Sequence, residues 1–207
     1  MNNINNTEKP VILFIPEVGI YPFARGLAVL GDAIVKQGGR VFVTRDTGQM
    51  LRSPIMAMNN LSIIPSETEI KKIRKANEKI FTMIQKEYEF SSIELADFVN
   101  DELMEEIDEL VCKENCNLED IKYRGFPVGK IAQYDFVLET KFPYSKKLSN
   151  KQKILYIQYI KNTVLTIALV DGICEKYDPS LFITFNEYAQ CQDVRYSASK
   201  HGVSRMA

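Results

Sequence analysis

The opening of the chain, residues 11–46, constrains the fold more than any other stretch because it reads as strand, helix and strand. Residues 11–15 form an apolar run without alternation, which is typical of a strand covered on both faces in a parallel sheet. Gly38 and Gly39 end the helix, since glycine adopts the left-handed cap conformation at little cost. The apolar positions of this helix, at helical spacing, are Phe23, Leu27, Leu30 and Ile34. Residues 40–44 form the second strand, so the unit is a βαβ crossover of the expected right hand.

Later segments extend this pattern into a doubly wound sheet. Residues 150–177 predict a long helix, residues 181–185 (LFITF) a third buried strand, and residues 203–206 the opening of a fourth parallel strand. The sequence therefore predicts an α/β fold with a three-layer, Rossmann-like parallel sheet. A helical insertion, about residues 66–148, separates the second and third main strands. The chain is expected to be one Rossmann-like domain, residues 1–207, and its ending inside the fourth strand predicts that a second, C-terminal domain is missing.

Two capping signals predict two helices inside the insertion. Ser66 and Glu69 have the spacing of a capping box, and the helix after them should run to about Tyr88. Ser91 and Glu94 repeat the spacing before a second helix, whose acidic residues are expected to form its solvated side. Other elements expected in the region are a long loop at 45–60, a short strand at 61–64 and a short helix at 130–140.

Composition excludes several classes of protein. The chain has 207 residues and a net charge of −1, which argues against a dedicated nucleic-acid binder because such proteins usually carry a large basic excess. Four cysteines without a C-x-x-C pair, beside one histidine, favour free thiols in a cytoplasmic protein over a zinc site. The polar N-terminus lacks the apolar core of a signal peptide. The longest apolar run is too short to span a bilayer.

Ligands on parallel sheets bind where the carboxyl ends of the strands meet, which directs attention to the segment after the first strand. Glu17, Gly19 and Tyr21 lie there. Glu17 is the first candidate for a catalytic base or for a group that hydrogen-bonds an acceptor, and Gly19 allows the backbone to approach a ligand closely. The alternative is that Glu17 caps the following helix or pairs with Arg25.

Charged residues also flank the loop after the second strand. Arg45, Asp46 and Arg52 are candidates for binding an anionic acceptor or a diphosphate. An exposed ion-pair network is the alternative interpretation of these three residues.

Three polar residues, Asn186, Glu187 and Tyr188, directly follow the third buried strand. Their position favours a role in substrate binding, because an amide, a carboxylate and a phenol are unusual at such a place for packing alone. His201, at the end of the next helix, is expected to hold the last helical carbonyl groups.

A cluster of lysines precedes the long helix, and it has two interpretations. One is a patch that meets phosphates or an anionic membrane surface, and the other is a solvated loop and helix start. The lysines are Lys141, Lys146, Lys147, Lys151 and Lys153.

Four stretches together carry a family resemblance. They are VILFIPEVGIYPFARGLAVLGDAIVKQGGRVFVTRD, YRGFPVGKIAQYDFVL, KILYIQYIKNTVLTIALVDGICEKYDP and LFITFNEYAQ. This combination resembles the N-terminal Rossmann-like domain of two-domain (GT-B type) glycosyltransferases, particularly those of bacterial capsule and surface-polysaccharide clusters. The resemblance implies an acceptor-side domain of an enzyme that moves a sugar from a nucleotide sugar to a surface-polysaccharide or lipid-linked glycan acceptor. It also implies that the second domain holds most contacts to the nucleotide sugar, so this piece alone is expected to be inactive.

Two other functions stay open, because one fold hosts many functions. They are a non-catalytic, flavodoxin-like binding module and an enzyme similar to sugar-nucleotide epimerases. No G-x-G-x-x-G fingerprint follows the first strand, so no tightly bound dinucleotide is expected and the nucleotide sugar enters as a substrate. No D-x-D motif lies beside a predicted strand, so no metal is expected. The predicted partners are a small-molecule or glycan substrate, a second domain or second copy, and the inner face of a membrane.

Overall fold

The computed structural model of the chain describes residues 9–15, 21–50, 62–112, 117–141, 147–185 and 190–207, except for the side chains of residues 21, 22 and 190–192. These residues form a parallel sheet with the strands β1 (Val11–Leu13), β2 (Val41–Arg45), β3 (Ser91–Glu94), β4 (Leu181–Ile183) and β5 (Ser204–Met206). The strand order is β3-β2-β1-β4-β5, and each neighbouring pair is parallel. The predicted α/β class is confirmed, and the unexpected strand is β3, which lies within residues 66–148, where a helical insertion was predicted.

Helices connect these strands in the described ranges, with three helices in succession between β3 and β4. They are α1 (Tyr21–Lys36), α2 (Glu67–Glu87), α3 (Asp101–Val111), α4 (Val128–Thr140), α5 (Asn150–Tyr177) and α6 (Gln190–Lys200), with 3₁₀ turns at Leu95–Phe98 and Leu118–Asp120. The predicted capping box of α2 is confirmed, since Ser66 Oγ accepts the Glu69 N–H at 3.3 Å and Glu69 Oε2 accepts the Ser66 N–H at 2.8 Å. None of the helices in the described ranges is both long and apolar enough to cross a bilayer.

Alternate residues of the strands face two separate apolar cores, which gives the fold three layers. On one side Ile12, Phe42 and Phe182 pack against α3, α4, α5 and α6. On the other side Leu13 and Val43 pack against α1 and α2. Helix α5 lies deep in the larger core, so it is buried on nearly all sides instead of along one stripe.

The sequence prediction of a helix starting at Ser91 is wrong. Residues 91–94 form the edge strand β3, which pairs with Phe42 to Arg45 of β2. Ile93 and Leu95 are buried and two residues apart, which is the period of a strand. The backbone pairing with β2 outweighs the local capping signal. Helix α3 begins later, where Asn100 Oδ1 accepts the Leu103 N–H at 2.8 Å.

Three smaller predictions are also corrected. The described residues 62–64 are not in a strand. Leu30 of α1 was expected in the core but is 37% exposed, because Ala24, Leu27 and Ala28 form the buried face. The apolar spacing of the long helix also predicts Ile154 on its inner side, but Ile154 is 44% exposed because Leu155 and Tyr156 form the buried face of this turn.

Strands β1 and β4 are neighbours at the centre of the sheet, where the direction of winding changes. Strand β1 is followed by α1 and then by β2 on one side, whereas β4 and β5 lie on the other side. Such a switch point is the place where open parallel sheets bind their ligands, just outside the carboxyl ends of the two central strands.

Candidate functional site

The carboxyl ends of β1, β2 and β4, called here the carboxyl edge, are joined by specific contacts. Thr44 Oγ1 accepts a hydrogen bond from the Ile15 N–H at 2.8 Å and donates to the Leu13 carbonyl at 3.4 Å. The rings of Phe23 in α1 and Phe185 after β4 stack with their centroids 3.6 Å apart. These contacts join the carboxyl ends of β1 and β2 directly and tie the end of β4 to α1.

Arg45, one of the predicted binding residues, is engaged in an ion-pair network. Its guanidinium contacts Glu78 on α2 and, at 3.2 Å, Glu94 on β3, and it lies over the Phe81 ring at 5.2 Å. The hydrogen bond to Glu78 raises the pKa of Arg45 further, although burial opposes it. The arrangement matches the ion-pair alternative for Arg45. Its role in ligand binding stays a prediction.

Asp46 shapes the loop that follows β2. Its side chain is buried, and Oδ1 accepts the backbone N–H groups of Gly48 at 3.0 Å and Gln49 at 2.7 Å. The Asn77 side chain donates to Asp46 Oδ2 at 3.2 Å. Burial raises the pKa of Asp46, and the backbone hydrogen bonds only partly oppose this effect. The described contacts of Asp46 are therefore those of a loop-forming residue.

The structure does not describe the side chains of the other predicted site residues. Tyr21 opens α1, and the side chain of this residue is not described. Those outside the described ranges are Glu17, Gly19, Arg52, Asn186, Glu187 and Tyr188. The fold nevertheless relates two of these segments, because residues 16–20 follow β1 and residues 186–189 follow its neighbour β4.

Sequence reasoning missed a buried polar face on α5. Tyr159, Asn162, Thr163 and Thr166 are each at most 2% exposed, and their spacing places them on one side of the helix. Thr166 Oγ1 donates to the Asn162 carbonyl at 2.9 Å and lies 3.9 Å from the sulfur of Met50, in the loop after β2. This face therefore reaches the carboxyl edge. Its signal in the sequence is a row of polar residues at helical spacing within an otherwise apolar helix.

Two carboxyl groups on neighbouring helices accompany this polar face. Asp135 of α4 and Asp193 of α6 are 5% and 1% exposed. Burial, reinforced by repulsion from Asp135, raises the pKa of Asp193 well above its usual range, although a hydrogen bond with Thr163 opposes the shift. Asp193 Oδ2 has no hydrogen-bond partner among the described residues. A neutral, protonated Asp193 is thus the form that this environment favours.

A second polar centre surrounds Asp171 near the opposite, amino edge of the sheet, because α5 ends there just before β4 begins. Asp171 Oδ1 accepts the Ser197 hydroxyl at 2.6 Å and lies 2.9 Å from His201 Nε2. Arg124 donates to Oδ2 at 3.1 Å, and Lys200 lies 3.6 Å away. Burial alone would raise the pKa of Asp171, but the hydrogen bonds and the nearby cations outweigh it and lower this pKa.

This centre is not arranged as a nucleophilic triad. The Ser197 hydroxyl is fully buried and contacts Asp171 and the Ile167 carbonyl, so it cannot attack a substrate. His201 holds a helical carbonyl as predicted, but through its backbone N–H, which donates to the Ala198 carbonyl at 3.1 Å, whereas its ring contacts Asp171. The cluster instead ties the end of α6 to α5.

A groove of about 340 Å³ opens beside Asp171. Besides Asp171, the acidic residues Glu102, Glu106 and Glu175 line it, and Arg124 is the cationic residue among its ten lining residues. Arg124 adopts a positive φ of 47° in a tight turn with Gly125, a costly conformation for a bulky residue, and its ion pair with Asp171 helps to hold the turn. Within the described ranges, no group of three or more histidine, cysteine or acidic residues is placed to hold a metal ion.

Comparison with known proteins does not indicate a function for the chain. No protein-family model matches the chain, and no curated protein matches it.

Proposed function

We propose that the chain is the acceptor-side domain of a glycosyltransferase that moves a sugar from a nucleotide sugar to a surface-polysaccharide or lipid-linked glycan acceptor. The observation that carries the proposal is the strand order β3-β2-β1-β4-β5, in which β1 and β4 are parallel neighbours. A switch point between two such strands is where this architecture binds small polar ligands. The resemblance of the sequence to GT-B domains supplies the class of reaction.

The residues after these two strands have the chemistry that an acceptor site needs. Glu17 follows β1 and serves as the base or as a hydrogen-bond partner of the attacking hydroxyl. Asn186 and Tyr188 follow β4 and supply hydrogen bonds that orient the sugar. Glycosyl transfer also needs the donor diphosphate to be neutralised, which we assign mainly to a second domain.

A non-catalytic binding module is the second candidate, and one observation favours it. Arg45 and Asp46, two predicted binding residues, are bonded to other residues of the chain. Because these two charged groups are engaged within the chain, they favour a module that recognises neutral hydroxyl groups over a site that binds an anionic ligand.

Nuclear magnetic resonance can separate these functions. The ¹⁵N-labelled chain is titrated with oligosaccharides and, separately, with nucleoside diphosphates and nucleotide sugars. An acceptor-side domain should show shifts at amides of the carboxyl edge, such as Ile15 and Phe185, with oligosaccharides and weak shifts with nucleotides. Strong binding of nucleotides alone would favour the epimerase-like enzyme, and no shift with either set would contradict all three functions.

Catalysis is tested in a protein that contains the donor domain. Glu17→Gln should lower sugar transfer by at least about tenfold, as expected for loss of a general base, and Asn186→Ala should raise the KM of the acceptor. Neither variant should lower the melting temperature. Glu105→Gln, an exposed change on α3, is the matched control. Unchanged transfer in Glu17→Gln would favour the non-catalytic module.

A further inference from the structure

Positive charge is concentrated in one part of the chain. Residues 128–170 contain seven lysines and two acidic residues, whereas the whole chain has 26 basic and 27 acidic residues. One of the two acidic residues, Asp135, is buried, and the other, Glu139, accepts a hydrogen bond from Tyr159. The outer side of α4 and the first turns of α5 therefore present a cationic surface on a protein that is otherwise acidic.

Most described lysines of this surface are exposed and make no ion pair with a described acidic residue. Lys161 differs from the others because it forms an ion pair with Asp108. The described lysines that are exposed and make no ion pair with a described residue are Lys130, Lys141, Lys147, Lys151 and Lys153. A folded protein usually intersperses such charges with acidic residues, so this arrangement leaves a positive field over one face.

Large apolar side chains lie among these lysines. On α4, Tyr134 and Leu138 are 42% and 37% exposed, and they share one face of the helix with Lys130 at spacings of four residues. Lys141 follows directly after the helix. On α5, Ile154 is 44% exposed, one turn after Lys151.

The two helices pack against each other through their inner sides, where the Phe136 and Tyr156 rings lie 5.2 Å apart. The exposed residues of both helices consequently lie away from this contact. We call the set Lys130, Tyr134, Leu138, Lys141, Lys147, Lys151, Lys153 and Ile154 the α4–α5 face.

We propose that the α4–α5 face docks the protein onto the surface of an anionic phospholipid membrane. Each lysine close to such a surface is attracted by the negative headgroups, and the apolar side chains enter the boundary between headgroups and acyl chains. A nucleic acid would use the lysines but gain little from Leu138 and Ile154, because these aliphatic side chains offer neither charge nor a stacking ring. The combination of both residue types thus selects the lipid surface over a soluble polyanion.

The test is flotation with vesicles of phosphatidylcholine alone and of phosphatidylcholine with 30% phosphatidylglycerol, a composition chosen for the experiment. The proposal predicts binding to the anionic vesicles and none to the neutral ones, with weaker binding at high salt. The double variant Lys151→Glu/Lys153→Glu should bind the anionic vesicles at least about tenfold more weakly. Lys71→Glu/Lys75→Glu on α2 changes the charge equally at exposed positions on the other side of the sheet, and it should bind like the wild type.

Ile154→Ser tests the apolar part of the face. This variant keeps every charge, so its affinity for anionic vesicles should fall several-fold, whereas its affinity for heparin should not change. Circular dichroism confirms that each variant is folded. The proposal is overturned if the wild type does not bind anionic vesicles. It is also overturned if Lys71→Glu/Lys75→Glu weakens binding as much as Lys151→Glu/Lys153→Glu does, or if Ile154→Ser binds these vesicles as tightly as the wild type.

Discussion

Asp171 and His201 are joined at 2.9 Å between Oδ1 and Nε2, although 30 residues separate them in the chain. The same carboxylate accepts the hydroxyl of Ser197 and pairs with Arg124. This carboxylate is therefore a specific polar link between the end of α6 and the core helix α5.

Replacing Asp171 by Asn should lower the free energy of unfolding at pH 7 by about 2 kcal/mol, because the change removes the negative charge that Arg124 and Lys200 face and replaces one acceptor oxygen by a donor. The pKa of Asp171 is lowered by folding, so its contribution is present above about pH 4, the unfolded value, and is lost as the pH falls through the folded pKa. Urea denaturation should thus show a difference between wild type and variant that shrinks in acid. Asp108→Asn, which breaks an exposed pair with Lys161, should cost far less. Equal losses in the two variants would contradict this role.

Asp193 should give the opposite pH dependence. Its pKa is raised by burial and by Asp135, so the native state retains a proton that the unfolded chain releases above about pH 4. The Asp193 carboxyl therefore lowers the free energy of unfolding as the pH rises from about 4 towards the pKa of Asp193 in the folded state. Asp193→Asn should flatten this part of the profile in urea denaturation, whereas Asp97→Asn at an exposed position should not. A variant profile that still falls as steeply would exclude Asp193 as the cause.

Gly129 is fixed by close packing at the start of α4. A Cβ at this position would lie 2.0 Å from the Leu118 carbonyl oxygen and 2.7 Å from that of Glu119. Gly129→Ala should thus cost roughly 3 kcal/mol or more, as overpacking against backbone does. Gly26→Ala in α1 meets nothing within 4 Å and should gain up to about 1 kcal/mol from helix propensity. Thermal unfolding compares the two, and a similar melting temperature for both would refute the clash.

Asp46 is expected to support the loop at the carboxyl edge. Asp46→Ala leaves the N–H groups of Gly48 and Gln49 without their acceptor, so it should cost about 2 kcal/mol and increase amide hydrogen exchange in that loop. Asp32→Ala, which removes an i,i+4 pair with Lys36 on α1, should cost less than about 0.5 kcal/mol. Unchanged exchange at residues 47–50 would show that the loop does not depend on Asp46.

The sequence by itself determined the elements whose signals are local. The βαβ opening, the capping box at Ser66 and the full span of α5 follow from periodicity and from residues three or four positions apart. The parallel class of the sheet also followed, because buried strands that alternate with helices have few other solutions.

Tertiary structure alone decided the rest, because it brings together residues that no local pattern relates. The pairing of β3 with β2 overrode a capping signal at Ser91, since a full set of ladder hydrogen bonds stabilises the segment more than one cap does. The partners of Asp171 lie 26 to 47 residues away. The pKa of Asp193 depends on burial between three helices and on Asp135, so only packing could decide which acidic residues face the solvent and which share the interior.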